Sequence, residues 1–501
     1  MARSVSTAII GAGFGGIAAA ARLRELGQDD FVILERGERV GGVWNANTYP
    51  GIACDVPSHL YSLSFAPNPR WSRRFSQGSE IQAYLEGVVD RLGFRSKLQL
   101  NTDVLRATFD EQRGRWILET GNGETVEAEV LVSACGQLTR PSIPNLPGLD
   151  RFEGRMFHSA HWPEGEMLDG ERVAVVGTGA SAIQFAPAIA PHVEHMTVFQ
   201  RSAPWVIPKP DKPYAHSTKR LYSQLPWLQR IPREAWWAVL EGAVPVFTRR
   251  PKAAAIAAAL PFRALAEANR AIQLRGEPDL KAKAKPDYPM GCKRLLLTSE
   301  WYPMLRRDNV ELVTDDITEV VADGVVTADG VHRRVDTIAF GTGFTATEFL
   351  APMEVQGRGG TKLSEAWSDG AEAYLGITVP NFPNMFLLYG PNTNHGTGSA
   401  LDLLETQSRF VAGAVDMLAQ GSAEQLEVRR DVHDEFQREL AERLKHSIWT
   451  TCSSWYVTES GRVTNNWPGS QREYRRRVAA VNPADYLTEA ELPAPAATTA
   501  L

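Results

Sequence analysis

The sequence predicts an α/β protein built from two similar parallel-sheet units, the second inserted into the first and carrying a helical insertion. Two observations support this fold class. Strand-like, glycine-rich and helix-like segments follow one another twice, in VSTAIIGAGFGGIAAAARLRELG and again in ERVAVVGTGASAIQFAPAIA. The chain has 501 residues. A single hydrophobic core stops growing near ~250–300 residues, so two or three domains are expected.

The first unit has the spacing of a dinucleotide site. In its G-x-G-x-x-G turn, Gly11 permits the tight turn, Gly13 lets the backbone approach a pyrophosphate, and Gly16 allows close helix packing. The N-terminus of the following helix would face the phosphate charge. The next strand, FVILE, ends in Glu35, whose carboxylate can accept hydrogen bonds from ribose hydroxyls. This acid-ended unit predicts FAD, whose adenosine ribose carries no 2′-phosphate.

The second unit repeats the turn but ends differently. Gly177 and Gly179 occupy the first two places of the motif, and Ala182 occupies the third. The strand MTVFQ then leads into Arg201 and Ser202 rather than into an acid. An arginine at this strand end can form charge-assisted hydrogen bonds to a 2′-phosphate. The second unit therefore predicts NADPH rather than NADH, and the two units together predict a flavin and its reductant.

The remainder of the chain indicates how the domains are arranged. Residues 212–287 are rich in Ala, Leu, Trp and Arg at helical spacing and are predicted to be an insertion in the NADPH domain. A β-ribbon follows, and VDTIAFGTGF is predicted to return the chain to the FAD domain. The first part of the FAD domain is predicted at residues 1–145 and its second part at 336–487. The NADPH domain is predicted between them at 146–335, and a disordered tail at 488–501.

Composition and charge exclude several classes of function. Apolar residues make up 43% of the chain, charged residues 22%, and the net charge of −6 provides no basic field for nucleic acid. The opening segment MARSVSTAIIGAGFGG lacks the regions of a secretory signal, which predicts a cytoplasmic protein. The four cysteines include no C-x2-C pair, so we expect buried free thiols and neither a disulfide, a redox dithiol nor a metal site.

The longest apolar region, AWWAVLEGAVPVF with the following RRPKAAAIAAALPF, is interrupted by charges and by Pro245. It never reaches the roughly 18 uninterrupted apolar residues that a membrane span needs. We therefore expect no transmembrane segment and favour a buried helical insert, while a helix lying at a membrane interface stays open as the alternative.

Two longer patterns carry a resemblance to a known family. The segment FEGRMFHSAHWP has the spacing F-x-G-x3-H-x3-W-P, and residues 41–55 read GGVWNANTYPGIACD. Over roughly residues 5–487 the chain resembles the type I Baeyer–Villiger monooxygenases, which are class B flavoproteins. The resemblance implies a linker between the two nucleotide domains with a structural histidine, formed by Phe152, Gly154, His158, Trp162 and Pro163. It also implies FAD contacts from the second pattern and beyond it, at Trp44, Asp55 and Tyr61.

The activity that the resemblance implies is the insertion of one oxygen atom beside a ketone carbonyl, giving an ester or lactone. Reduced flavin and O2 form a C4a-peroxide that must stay anionic, and a fixed cation beside it would serve that purpose. Arginine suits this role because it stays charged and presents a planar fork of donors. The family places this arginine after a lysine, which implies Arg294 as the catalytic cation, Lys293 as a 2′-phosphate contact and Asp55 as the partner that orients Arg294.

Three alternatives remain open from sequence. Related flavin N- and S-oxygenases share the fold, but their motif ends in Tyr or Phe where this chain has Trp162, which favours ketone oxidation. A flavin disulfide reductase shares the two-nucleotide architecture but needs a cysteine pair, which the sequence does not indicate. A non-catalytic protein that kept the fold would have no reason to retain Asp55, Lys293 and Arg294. The substrate ketone, its selectivity, the substrate-pocket residues and the oligomeric state are not predicted.

Overall fold

The computed structural model describes residues 3–248, 251–452 and 454–492, apart from the side chain of Glu489. Its strands are β1 Arg3–Ile10, β2 Phe31–Leu34, β3 Leu98–Gln99, β4 Val104–Asp110, β5 Arg115–Thr120, β6 Thr125–Ser133, β7 Arg155–His158, β8 Arg172–Val176, β9 His195–Phe199, β10 Val206–Ile207, β11 Leu296–Leu297, β12 Val310–Val313, β13 Ile317–Val321, β14 Gly324–Thr327, β15 His332–Arg334, β16 Thr337–Phe340, β17 Glu354–Gln356 and β18 Met385–Leu387.

The helices alternate with these strands and cluster between β10 and β11. They are α1 Phe14–Glu25, α2 Val43–Ala46, α3 Gly78–Arg91, α4 Ala182–Ile189, α5 His216–Gln224, α6 Arg230–Ala243, α7 Pro245–Thr248, α8 Lys252–Ala258, α9 Leu260–Gln273, α10 Pro278–Lys283, α11 Trp301–Leu305, α12 Leu363–Ala366, α13 Ala400–Ala419, α14 Arg430–Lys445 and α15 Gln471–Arg477.

The first sheet holds the first glycine turn and collects strands from both ends of the chain. Its order is β17-β4-β5-β6-β1-β2-β3, and β18 pairs with β6. Strand β1 is parallel to both β2 and β6, so the turn after β1 lies at the carboxyl edge of the sheet, where α/β proteins bind ligands. Because β17 and β18 join this sheet, the chain returns to its first unit after the second, as the sequence indicated.

The second sheet holds the second glycine turn. Its order is β12-β9-β8-β16-β7, and all of its pairs are parallel. Strand β16 lies between β8 and β7, which contradicts the predicted boundary at residues 335 and 336 and the predicted return of this strand to the FAD domain. The following turn also belongs to this unit, because a Cβ added at Gly177 would lie 2.7 Å from the carbonyl oxygen of Gly341. Pattern alone marks a buried parallel strand but does not say which sheet it joins.

The insertion at residues 212–287 is helical, as predicted, and contributes α5 to α10. The expectation that it is buried is wrong for most of its surface, since α5 has no buried residue and α6 buries only Trp237. None of the helices in the described ranges is long and apolar enough to cross a membrane. Of the predicted disordered tail, residues 488–501, the structure describes only 488–492.

The cysteines contradict the prediction of four free thiols. Cys292 and Cys452 form a disulfide, while Cys54 and Cys135 are free. The two bonded residues are separated by 160 positions in the chain, so no local spacing could reveal the pair. Among the described residues, no cluster of His, Cys, Asp or Glu could hold a metal ion.

Candidate active site

The first glycine turn is closed by backbone contacts that leave no room for side chains. A Cβ added at Gly16 would lie 1.9 Å from the carbonyl oxygen of Gly11, and one added at Gly11 would lie 2.6 Å from that of Ala134. Gly11 also has a φ of +105°, which L side chains rarely adopt. Gly13 is the N-cap of α1 and has no side-chain hydrogen bond there. The helix therefore presents an open N-terminus, which suits a phosphate group.

Glu35 lies directly after β2 beside this turn. Its carboxylate accepts hydrogen bonds from the backbone N–H groups of Ala12 at 2.7 Å and Gly37 at 2.8 Å. The carboxylate is thus fixed next to the glycine turn, where the sequence argument expected a ribose. Trp44 and Tyr61 contact each other, since the indole N–H of Trp44 donates to the hydroxyl of Tyr61 at 3.0 Å.

The second glycine turn lies beside a cluster of cations. Gly177 has a φ of +104°, and Ala182 begins α4 and is fully buried. The ammonium group of Lys293 donates to the hydroxyl of Ser202 at 3.0 Å, although 91 positions separate them. Burial, followed by the charge of Arg201, lowers the pKa of Lys293. Arg201, Ser202 and Lys293 are therefore one site rather than three separate features.

A cavity of about 1870 Å³ connects the two turns. Its walls include the first turn, Glu35, Trp44 and Tyr61 on one side, and the second turn, Arg201 and Ser202 on the other. This volume exceeds the roughly 300–1,000 Å³ of a drug-sized ligand pocket. The size and the walls suit two nucleotides with a further small molecule between them.

Asp55 and Arg294 form an ion pair inside this cavity. The guanidinium Nε of Arg294 lies 3.1 Å from Oδ2 of Asp55, and a terminal nitrogen donates to the same oxygen. Burial raises the pKa of Asp55, but the charge and hydrogen bonds of Arg294, with a smaller contribution from Lys209, outweigh it and hold that pKa below its ordinary value. The charge of Asp55 in turn raises the pKa of Arg294. Both groups therefore stay ionised.

The pair keeps a free surface toward the cavity. The Arg294 side chain is 43% exposed and that of Asp55 is 26% exposed, and both residues line the cavity walls. The guanidinium fork is thus held on one side and has donors left for an anion on the other.

Sequence reasoning missed several residues near this pair. Tyr389 and Tyr456 both line the cavity, and the field of Arg294 reaches both phenols. Burial raises the pKa of Tyr456 to about 12, so its hydroxyl stays protonated near neutral pH. The Tyr389 hydroxyl donates to the side-chain oxygen of Asn394 at 2.9 Å. Tyr389 belongs to the segment NFPNMFLLYGPNT, which also resembles a strand and loop of the type I Baeyer–Villiger monooxygenases, whereas no pattern marked Tyr456.

The fingerprint segment is part strand and part turn. Residues Arg155–His158 form the edge strand β7, and a Cβ added at Gly154 would lie 2.4 Å from the carbonyl oxygen of Asp336. His158 is buried, and burial lowers its pKa to about 4, with a backbone hydrogen bond to Gly343 opposing the change. A neutral, buried histidine agrees with a structural role. Phe152 is buried in the core around β8 and β16, and Pro163 follows Trp162 at the end of the segment.

Trp162 packs against the NADPH domain and also contacts the FAD domain. Its ring centroid lies 5.0 Å from that of Phe185 on α4, and its indole N–H donates to the carbonyl of Glu166 at 3.0 Å. The carbonyl of Trp162 accepts a hydrogen bond of 3.5 Å from Thr48. Tyr49, next in the chain, stacks edge-on against Phe185 at 6.1 Å.

Gln184 on α4 makes a second contact between the domains. Its side-chain amide donates to the carbonyl of Ala53 at 3.0 Å, and its side-chain oxygen accepts from the backbone N–H of Ala53 and the hydroxyl of Tyr49, both at 3.2 Å. A Cβ added at Gly51 would lie 2.7 Å from the Gln184 carbonyl. The pattern of residues 41–55 therefore reaches from the FAD domain to the helix behind the second turn.

Two dinucleotide units that share one cavity with an arginine–carboxylate pair define a flavin- and NADPH-dependent oxidoreductase. The profile described as "Pyridine nucleotide-disulphide oxidoreductase" matches residues 8–221. The disulfide of this chain is not a redox centre of that type, because neither Cys292 nor Cys452 lines the cavity.

Relatives narrow the class to one family. A Baeyer–Villiger monooxygenase of Streptomyces coelicolor is 43% identical over 98% of this chain and 94% of its own length. A Baeyer–Villiger monooxygenase of Pseudomonas aeruginosa is 41% identical over 95% of this chain and 89% of its own length. The chain belongs to the Baeyer–Villiger monooxygenases, and it is an FAD- and NADPH-dependent enzyme.

Solved structures agree with this assignment. Cyclohexanone monooxygenase from Rhodococcus sp. Phi1, bound to NADP+, superposes with a TM-score of 0.85 at 29% identity, covering 96% of this chain and 97% of its own. Oxidised steroid monooxygenase bound to NADP superposes with a TM-score of 0.82 at 31% identity, covering 95% and 97%.

Proposed function

We propose that this enzyme converts apolar ketones to esters or lactones, with Arg294 as the catalytic cation and Asp55 as its positioning partner. The observation that carries the proposal is the Asp55–Arg294 pair, which lies in the cavity between the two glycine turns. An ionised pair with unused donors facing the cavity suits a reaction in which negative charge forms beside a carbonyl.

The two cofactors fit the residues that line the cavity. The closed glycine turn and open N-terminus of α1 can take a pyrophosphate, and the cluster around Lys293 can take a 2′-phosphate. We assign FAD to Gly11, Gly13, Gly16, Glu35, Trp44, Asp55 and Tyr61. We assign NADPH to Gly177, Gly179, Ala182, Arg201, Ser202, Lys293 and Arg294. When bound, NADPH would supply the hydride, and FAD would supply the reduced flavin that activates dioxygen.

Arg294 has two tasks in this proposal. Its charge favours the anionic form of an oxidant bound beside it, since the cation stabilises an anion more than the protonated, neutral form. Its fork of donors can also hold the oxygen that becomes negatively charged when the ketone carbonyl is attacked. Asp55 keeps the fork aimed into the cavity and balances its charge when no anion is bound beside it.

The substrate end of the cavity is apolar and comes largely from the helical insert. Trp236 and Leu240 on α6, Phe247 on α7 and Phe262 on α9 line it. These side chains favour a ketone with a hydrocarbon body and offer little to a charged amine. One structural neighbour is a cyclohexanone-bound cyclohexanone monooxygenase and another is a steroid monooxygenase, which supports testing ketones of very different size.

The experiment that tests the proposal is a substrate panel with product analysis. Cyclic, linear, aryl and steroid ketones, with a thioether for comparison, are incubated with NADPH and air, and the products are identified by gas chromatography and mass spectrometry. Ester or lactone from at least one ketone supports the proposal. Sulfoxide from the thioether without ester from any ketone would favour the heteroatom-oxygenase alternative instead.

The role of Arg294 has its own test. Arg294→Ala should still bind FAD and be reduced by NADPH, while ester formation falls about 100- to 1000-fold and hydrogen peroxide is released. Arg294→Lys keeps the charge without the planar fork, so its rate of ester formation should lie between those of the wild type and Arg294→Ala. The flavin absorbance spectrum shows whether the site still folds. Ester formation at the wild-type rate in Arg294→Ala would end the assignment.

We also infer that the enzyme acts in the cytoplasm, which the consumption of NADPH supports. Disulfides are rare in that reducing compartment. Cys292 is fully buried, which would shield its bond with Cys452 from thiol reductants. Cell fractionation with an activity assay tests the location. Activity confined to the cell exterior would contradict the inference.

A further inference from the structure

The helical insert carries an unusual share of the exposed apolar surface. Fourteen large apolar residues are well exposed in the described part of the chain, and nine of them fall within residues 212–287. The nine are Leu221, Leu225, Trp227, Ile231, Val239, Ile256, Leu260, Leu265 and Ile272. Isolated exposed apolar residues are ordinary, but a concentration in one segment indicates a surface that contacts something.

The two long helices of the insert turn apolar faces outward. Between Ile231 and the end of α6, the exposed residues recur at the spacing of one helical face, and Glu234 is the single charge among them: Ile231, Glu234, Ala235, Ala238, Val239 and Gly242. On α9 the exposed residues include one charge, Arg263: Leu260, Pro261, Arg263, Ala264, Leu265, Ala268 and Ile272. Helices on a globular protein normally show the opposite arrangement, with the polar face outward.

The insert is also the basic part of an acidic protein. Residues 212–287 contain 14 Lys and Arg against 6 Asp and Glu, which gives +8, whereas the whole chain carries −6. Arg220 and Arg230 are exposed on either side of Trp227 in the chain, and Arg263 is exposed beside Leu260. The apolar faces are thus bordered by cations.

We propose that this surface, the outward faces of α5, α6, α8 and α9 with Trp227, docks on an anionic phospholipid bilayer. Apolar side chains with a rim of Lys and Arg are the combination by which helices lie in a membrane interface without crossing it. Tryptophan is favoured at that depth because its ring is apolar and its N–H is polar. The absence of a spanning helix among the described residues agrees with such peripheral binding.

The cavity opens at this surface. Val239 is 60% exposed and Leu265 is 47% exposed, yet both also line the cavity. A docked protein would therefore bring the mouth of its site to the hydrocarbon boundary, where apolar ketones concentrate. The docking itself does not depend on the reaction that we propose, since it rests on the surface alone.

Charge favours lipid over a second copy of the chain as the occupant. A symmetric contact would bring two segments of +8 together, which like-charge repulsion opposes. An anionic bilayer would instead neutralise the rim, and each basic residue near such a surface strengthens binding by about fivefold.

Vesicle flotation with the FAD-loaded enzyme tests the proposal. We expect binding to vesicles of equal parts phosphatidylcholine and phosphatidylglycerol, weaker binding at high salt, and little binding to phosphatidylcholine alone. Trp227→Ser combined with Ile272→Ser should weaken binding about tenfold or more. Arg220→Glu combined with Arg230→Glu should weaken it about 25-fold or more. None of these four residues lines the cavity, so flavin binding should be retained.

Matched variants elsewhere on the surface serve as controls. Leu26→Ser removes another exposed apolar residue, and Arg430→Glu with Arg438→Glu makes the same change of charge on α14. These variants should bind vesicles as the wild type does. Failure of the wild type to bind anionic vesicles at low salt, or equal binding to neutral ones, would overturn the proposal. So would a dimer, seen by light scattering, that Trp227→Ser dissociates.

Discussion

Removal of the cations around the second glycine turn should change coenzyme selectivity. Lys293 donates to Ser202 at 3.0 Å, and Arg201 is close enough for its charge to lower the pKa of Lys293. A charge-assisted hydrogen bond contributes about 1.5–3 kcal/mol, which corresponds to about 10- to 150-fold in affinity. Arg201 is exposed and screened by solvent, so Arg201→Ala should lower NADPH affinity by an amount near the lower end of this range. Lys293 is partly buried, so Lys293→Ala should lower NADPH affinity more.

The assay compares the dissociation constants of NADPH and NADH by stopped-flow reduction of the flavin. NADPH affinity should fall in both variants and NADH affinity should hardly change, because NADH has no 2′-phosphate. Arg307→Ala and Lys285→Ala, which change exposed cations outside the cavity, serve as controls. Equal losses with the two coenzymes would refute the 2′-phosphate assignment.

The same cluster predicts a pH dependence with a defined sign. Burial and the charge of Arg201 lower the pKa of Lys293, so NADPH affinity should decline at a lower alkaline pH than an ordinary lysine would give. Arg201→Ala removes part of that effect, so the decline should move to higher pH. A titration of NADPH binding across the alkaline range measures the shift. An unmoved profile would mean that Lys293 does not contact the coenzyme.

Three further predictions concern the scaffold of the site. Trp162→Ala should uncouple NADPH oxidation from ester formation while retaining FAD, and loss of flavin on purification would instead make Trp162 a core residue. Gly16→Ala should abolish FAD binding because its Cβ would lie 1.9 Å from a carbonyl oxygen, whereas Gly87→Ala meets nothing within 4 Å and should bind FAD normally. Replacing Cys292 and Cys452 by serine should lower the free energy of unfolding by about 2–5 kcal/mol, measured by denaturant titration with reduced wild type for comparison.

Local chemistry made both nucleotide units predictable. Gly16 must be small because of the Gly11 carbonyl five residues before it, and the positive φ of Gly11 is a property of its own backbone, so strand, turn and helix appear together in the sequence. The difference between Glu35 and Arg201 at the two strand ends is equally local. The assignment of β16 to the FAD domain failed because a short apolar strand fits either sheet, and only the neighbouring strands decide between them.

The sequence by itself therefore determined the α/β class, the two nucleotide turns, the helical insertion and, through its long patterns, the family resemblance. Tertiary structure decided which distant groups meet, since Asp55 and Arg294 lie 239 positions apart. It also paired Cys292 with Cys452 and turned the apolar faces of the insert outward. The physical reason is the distance along the chain over which each feature is decided. Backbone conformation depends mostly on near neighbours in the sequence, whereas ion pairs, disulfides and exposed faces depend on how remote segments pack.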